Sequence, residues 1–233
     1  MSINFDKFNS VISLFHQQSE QLADKPYLWR KLDDKFSYLS WREVREKVDS
    51  VAKGLINLGI LEGDRVVVLS ENRPEWQIAD LAIMTIGAIT VPAYTTSTTN
   101  DYEYILNHSE ARCIIISSHE LTLKAIPAIL KSNKCKNIIK INNDNKKYEE
   151  PIHFTFWDNL ISENKVSTSN EIDFEESVKL QKRTDTACII YTSGTGGNPK
   201  GVMLSHGAML TNCEGAEELL KNLVSDLKEI RFL

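Results

Sequence analysis

Four short apolar runs, RVVVLS at 65–70, AITVPAY at 88–94, RCIIIS at 112–117 and KNIIKI at 136–141, alternate with stretches of helical character, PEWQIADLAIMTIG, TNDYEYILNHSE and ELTLKAIPAILKS. Runs as short and continuous as VVVL and CIII suit strands covered on both faces, and strands separated by helices build parallel sheets through βαβ units. The pattern predicts an α/β fold with a doubly wound, mostly parallel sheet. Pro74 is placed to open the first of these helices, and Pro127 to kink the third. With 233 residues, 42% of them apolar and 25% charged, the chain can bury the core such a sheet needs.

Ahead of the alternation, YLWRKLDDKFSYLSW switches between apolar and polar residues on both sides of Asp33 and Asp34, as a β-hairpin does. Ser40 and Glu43 then form a capping box for WREVREKVDSVAKGLINLGI, in which Val44, Val48, Val51, Leu55 and Leu58 mark one helical face and Gly59 a stop. Phe5, Phe8, Ile12 and Phe15 also recur at helical spacing and predict an N-terminal amphipathic helix lying on the body of the protein. The same segment lacks the basic start and uninterrupted apolar stretch of a secretory signal. IADLAIMTIGAITVPAY is broken by Asp80, Gly87 and Pro92, short of the ~18 uninterrupted apolar residues of a membrane span. It reads as a buried helix running into a buried strand.

Residues 142–183 interrupt the rhythm and predict a surface excursion around one apolar island, FTFWDNLIS. Six lysines between Lys131 and Lys147 are interleaved with asparagines and acids without aromatic platforms, which reads as solvated surface. A net charge of -5 gives no general reason to expect nucleic acid or an anionic membrane as a partner. Cys113, Cys135, Cys188 and Cys213 form no C-x-x-C pair and read as buried free thiols in a reducing compartment, consistent with a cytoplasmic protein.

The chemistry of the chain concentrates in YTSGTGGNPKGVMLSH at 191–206, directly after the apolar run ACII. A loop at the carboxyl end of a buried strand is where open α/β sheets gather ligands. Glycines let backbone N–H groups approach an anion, the hydroxyls of Thr192, Ser193 and Thr195 can donate to phosphate oxygens, and Lys200 adds a mobile charge. Pro199 fixes its own φ and so defines the exit towards Lys200, while Ser205 is a candidate N-cap for a helix in LSHGAML. Two familiar phosphate motifs fail at the same residue. The pattern G-x-x-x-x-G-K-[ST] needs glycine where Pro199 stands and Ser or Thr where Gly201 stands, and G-x-G-x-x-G, begun at Gly194 and Gly196, needs its third glycine at Pro199.

This stretch resembles the signature phosphate loop of the adenylate-forming, or AMP-binding, superfamily: acyl-CoA synthetases, luciferases and peptide-synthetase adenylation domains. The usual family loop reads Ser-Gly-Thr-Thr-Gly-x-Pro-Lys-Gly, and here Gly196 replaces the second threonine, which removes one hydroxyl. LSWREVREKVDSVAKGLINLGILEGDRVVVLSENRPEW resembles the opening of the family's N-terminal domain. GAITVPAYTTSTTNDYEYILNHSEARCIII resembles the long-chain fatty acyl-CoA synthetase branch.

The resemblance implies a ligase that activates a long-chain fatty acid with ATP to an acyl-adenylate and passes the acyl group to coenzyme A, with Mg2+ at the phosphates. By the same resemblance Thr192, Ser193, Gly194, Thr195, Gly196, Gly197 and Lys200 hold the phosphates, and no catalytic residue or metal ligand falls within the chain. A CoA ligase or adenylating enzyme for another carboxylate, and a non-catalytic nucleotide-binding fragment, are the alternatives. Peripheral contact with the inner face of a membrane is suggested by the lipid substrate alone. The family's later motifs and C-terminal domain have no counterpart before Leu233, and DLKEIRFL reads as a strand just begun, so residues 1–233 read as an incomplete N-terminal AMP-binding domain.

Six further residues are weaker candidates. His206, in the first turn of a helix, suits a structural partner better than an acid or base. Tyr94 suits a partly buried anchor and Trp76 a helix core position, while His108, His119 and His153 lack metal-ligand spacing and draw no role.

Overall fold

A computed structural model describes residues 3–143, 148, 153–165, 174–192 and 199–223. A 3-10 turn at Phe5–Lys7 leads into α1 (Val11–Leu22) and then a hairpin of β1 (Pro26–Leu32) and β2 (Lys35–Ser40). Next come α2 (Trp41–Asn57), β3 (Arg65–Leu69), α3 (Pro74–Thr85), β4 (Ile89–Ala93), α4 (Thr99–His108), β5 (Cys113–Ile116), α5 (His119–Leu130) and β6 (Asn137–Lys140). The remaining elements are β7 (Thr155–Phe156), α6 (Trp157–Glu163), α7 (Phe174–Leu180), β8 (Thr186–Thr192), β9 (Lys200–Ser205) and α8 (His206–Leu223).

Strands β3 to β9 form one sheet in the order β7-β6-β5-β3-β4-β8-β9, parallel throughout except for β9, which runs antiparallel to β8. The fold is the α/β, mostly parallel arrangement that the strand spacing predicts. Because successive side chains point to opposite faces, each continuous apolar run serves two layers. Val66, Val68, Cys113, Ile115 and Ile139 enter one cluster with α1, α2 and α3, while Val67, Leu69, Ile114, Ile116 and Ile138 enter a second with α4 and α5.

Local signals set the elements. Asp33 and Asp34 both take positive φ, 47° and 60°, the conformation a tight two-residue hairpin turn requires. The Ser40 hydroxyl accepts the Glu43 N–H and the Glu43 carboxylate accepts the Ser40 N–H at 2.7 Å, so α2 starts with both ends of a capping box closed. Gly59 follows its end at φ 80°. The apolar island of the excursion docks into the first cluster through Trp157 and Leu160. Leu160 lies against α2 at Gly54, where a Cβ would come within 2.5 Å of Leu160 Cδ1.

Several expectations need correction. The N-terminal helix does not take in Phe5 and Phe8, because the Ser10 side chain accepts the Ser13 N–H and starts α1 at Val11. Both rings are buried all the same, against Leu210 of α8. KGVMLS, whose ends the sequence divides between the loop SGTGGNPKG and the helix start LSHGAML, is strand β9. Among the six lysines of the presumed solvated patch, Lys140 is 1% exposed, with its ammonium 4.8 Å from the Tyr148 ring centre and 5.8 Å from that of Phe154. Of the four thiols, all free, Cys213 is exposed, while burial pushes Cys135 up to about 12. Tyr94 is 63% exposed and is not an anchor. The strand expected in DLKEIRFL lies outside the described residues.

A junction between the N-terminal segment and the start of α8 fixes the base of the β8–β9 hairpin, at the Thr186↔Ser205 end and away from the glycine-rich segment. One guanidinium nitrogen of Arg183 donates to the Phe5 and Phe8 carbonyls at 3.0 and 2.9 Å. The Gly207 N–H donates to the Arg183 carbonyl at 2.8 Å, and the His206 N–H to the Asp185 carbonyl at 3.0 Å. His206 Nδ1 accepts the Val11 N–H at 3.4 Å. Burial holds the His206 ring neutral, down to about 4, with the nearby Asp185 carboxylate pulling the other way.

Two buried groups therefore drive stability in opposite directions over one pH range. Burial pushes Asp80 in α3 up to about 6 from 3.8, so its contribution is full below about pH 4 and is lost as pH rises through 6. At neutral pH the ionised form costs the fold about 3 kcal/mol. Asp80→Asn is expected to raise stability at pH 7.5 by about 1–3 kcal/mol and to flatten the pH profile between 4 and 6, read by urea unfolding. His206, lowered from 6.5 to about 4, gives stability that is present above 6.5 and lost as pH falls through 4. The protection factor of the Val11 amide, its exchange rate corrected for the intrinsic rate at each pH, is expected to fall on acidification from pH 6.5 to 4.5, and an unchanged protection factor would show that His206 is not the acceptor holding that N–H.

Candidate functional site

Strand β8 enters the sheet beside β4 through one parallel register pair, Thr90↔Cys188, and then continues as one arm of an antiparallel hairpin with β9. The pairs run Ile189↔Met203, Ile190↔Val202, Tyr191↔Gly201 and, last, Thr192↔Lys200. The glycine-rich segment is therefore tied at both ends: Thr192 closes the incoming arm and Lys200 opens the outgoing one. Of the residues expected to grip phosphate, this hairpin brings Thr192 and Lys200 together as cross-strand neighbours. Ser193, Gly194, Thr195, Gly196 and Gly197 lie outside the described residues.

Both described members are exposed, and the Lys200 ammonium makes no ion pair with another described residue. A hydroxyl and an uncompensated cation on adjacent arms suit an anionic ligand. The hairpin also explains the residue after the lysine. A Cβ at Gly201 would stand 2.9 Å from Ile189 Cγ2 and 3.3 Å from Tyr191 Cζ, so a side chain there would displace Ile189 and crowd the Tyr191 ring.

Tyr191 is 5% exposed, and burial raises its phenol pKa, which keeps it protonated. Its hydroxyl meets His108 Nδ1 at 2.8 Å, and its ring stands edge-on to those of His108 and Tyr104, with centroids 5.7 and 6.1 Å away. Sequence reasoning gave His108 no role, because a histidine 83 residues from its partner leaves no local signal. Behind the hairpin, Ser205 Oγ accepts the Ala208 N–H at 3.2 Å and caps α8, as its position predicts. His206 faces the Val11 N–H and not the loop.

Among the described residues no group of three or more His, Cys, Asp or Glu side chains is placed to hold a metal ion, and no helix is long and apolar enough to cross a membrane.

Comparison with known proteins agrees with this geometry. Residues 15–228 match the AMP-binding enzyme family. The long-chain-fatty-acid–CoA ligase ACSBG2 of Xenopus laevis is 29% identical over 95% of the chain, which spans 30% of that relative's length. A solved long-chain-fatty-acid–CoA ligase, FadD1 of Archaeoglobus fulgidus, superposes with a TM-score of 0.71 at 23% identity, over 94% of this chain and 40% of its own. The anthranilate CoA ligase AuaEII, solved in complex with anthranoyl-AMP, has the same TM-score at 22% identity, over 88% and 36%. Strand order, the tethered loop and the family match converge: the chain belongs to the AMP-binding enzyme family.

Proposed function

We propose that the chain is the phosphate-gripping part of an ATP-dependent long-chain fatty acid CoA ligase. The observation that carries the reading is the Thr192↔Lys200 pair, which closes a glycine-rich loop at the end of a parallel strand. In the reaction proposed, a fatty acid carboxylate oxygen bonds to the α-phosphorus of ATP and pyrophosphate leaves. The sulfur of coenzyme A then bonds to the acyl carbon and AMP leaves. The obstacle in the first step is electrostatic, since an anionic acid meets a polyanion whose leaving group gains charge. Lys200 and the hydroxyls of Thr192, Ser193 and Thr195, with the N–H groups at Gly194, Gly196 and Gly197, would offset that charge and orient the β and γ phosphates.

Mg2+ would be held chiefly through the oxygens of the phosphates and water, and among the described residues no group of three or more His, Cys, Asp or Glu side chains is placed to add to them. Coenzyme A and the fatty acid are the other small-molecule partners proposed, and the names of the relatives favour a long acyl chain. The anthranilate ligase keeps an aromatic carboxylate in view as the second reading.

Calorimetry with MgATP tests the grip. Lys200→Ala is expected to weaken binding about tenfold, the loss of one charged hydrogen-bonding partner, and a dissociation constant within twofold of the parent would overturn the assignment. Exchange of labelled pyrophosphate into ATP tests the substrate, with palmitate expected to stimulate it more than benzoate. Intact MgATP binding without any acid-dependent exchange would leave the chain a nucleotide-binding fragment.

A further inference from the structure

β8 runs beside β4 with its register pair at Cys188, and the last pair of the hairpin, Thr192↔Lys200, lies four residues further along β8. Hydrogen bonds within a two-stranded ribbon fix the arms to each other and leave the ribbon free to twist against its base. Some lateral contact near the tip is needed if Thr192 and Lys200 are to be aimed. One such contact is Tyr191, sequence neighbour of Thr192 and register partner of Gly201, itself the neighbour of Lys200. Its ring joins the second core cluster, and its hydroxyl ends on His108, the last residue of α4.

α4 is in turn a fixed reference. The Thr98 and Asp101 side chains close a capping box at its start, and the Tyr102 hydroxyl donates to the Tyr94 carbonyl at 3.0 Å. Tyr104, one turn before His108 on the same helix, stacks on that imidazole with ring centroids 5.1 Å apart and holds it in the plane that faces Tyr191. Three features therefore converge: a glycine that makes room for the ring, a histidine that binds its hydroxyl, and a tyrosine that orients the histidine.

We infer that Tyr191 and His108 are positioning residues, a clamp that sets the aim of Thr192 and Lys200 at the ligand's phosphates. The inference rests on the phosphate-gripping reading above. Neither side chain touches the ligand; each acts through the arms of the hairpin. Removing the hydroxyl leaves an exposed imidazole nitrogen to water and a buried phenyl in place, so the effect belongs to the hairpin tip and not to global stability.

The test compares the parent chain with Tyr191→Phe, His108→Ala and His108→Asn by two readouts: amide exchange at Thr192, Lys200 and Gly201, and the dissociation constant for MgATP. Tyr191→Phe and His108→Ala are expected to speed exchange at these three amides and weaken MgATP about fivefold, the worth of one neutral hydrogen bond, with unchanged melting temperature. Asparagine places a polar atom where Nδ1 stood, so His108→Asn is expected to restore most of both. Exchange and affinity equal to the parent in Tyr191→Phe, while Lys200→Ala still weakens binding, would overturn the clamp alone. A parent chain that binds neither MgATP nor pyrophosphate would overturn the phosphate reading and the clamp's purpose with it, whatever the exchange rates.

Discussion

β3 lies at the centre of the sheet with β5 on one side and β4 on the other, and its residues Val66, Val67, Val68 and Leu69 are at most 1% exposed. Two of these side chains enter each cluster, so four consecutive residues join the α1–α3 layer to the α4–α5 layer. Burying each such side chain is worth about 1.5–3 kcal/mol, and no polar atom is hidden in exchange, since the backbone groups are spent in the ladders. That economy is available only to strands covered on both sides, and so the helices, including those of the excursion, are committed to their places by the sheet. The position of α4 against the sheet is what brings His108 to Tyr191.

Polar contacts across a seam differ in worth according to how far they are shielded from water. Arg183 satisfies two carbonyls of the N-terminal segment with charge-assisted bonds worth about 1.5–3 kcal/mol each, whereas the ion pair of Lys31 with Asp34, whose side chain is 94% exposed, contributes about 0–1 kcal/mol. The base of the β8–β9 hairpin is thus anchored by the far end of the sequence, through Phe5, Phe8 and Val11, and not by surface charges.

Where structure depends on neighbours in sequence, it was legible. The Asp33–Asp34 turn, the Ser40–Glu43 box and Pro74 at the start of α3 are each decided within four residues, and the continuous apolar runs leave little alternative to a covered parallel sheet. At Phe5 and Phe8 helical spacing and burial part company. They are buried by Leu210, some 200 residues away, while a serine cap stops the helix short of them. β9 was missed because its residues are mostly part-exposed, so no clean alternation of apolar and polar marks it, and its partner β8 alone defines it. Tyr94 and Lys140 inverted their expected environments for the same reason: exposure is set by what other elements cover, and nothing beside them in sequence reports that.

The presence of β9 also accounts for the chemistry of the loop. In the two phosphate motifs that Pro199 excludes, a glycine-rich turn runs straight into a helix, and the helix N-terminus supplies N–H donors and roughly half a positive charge. Here the chain returns along six strand residues before α8 begins at His206. At about 3.3 Å per residue that separates Lys200 from the helix by roughly 17–20 Å, well outside the first turn over which a helix terminus acts. A loop so far from a helix end must carry its own charge and its own donors. In the phosphate reading proposed above, Lys200 and the hydroxyls of Thr192, Ser193 and Thr195 would meet that need, and the Thr192↔Lys200 pair fixes how far apart the first and last of them stand. The aim of such a grip would depend on what keeps the β8–β9 hairpin from twisting.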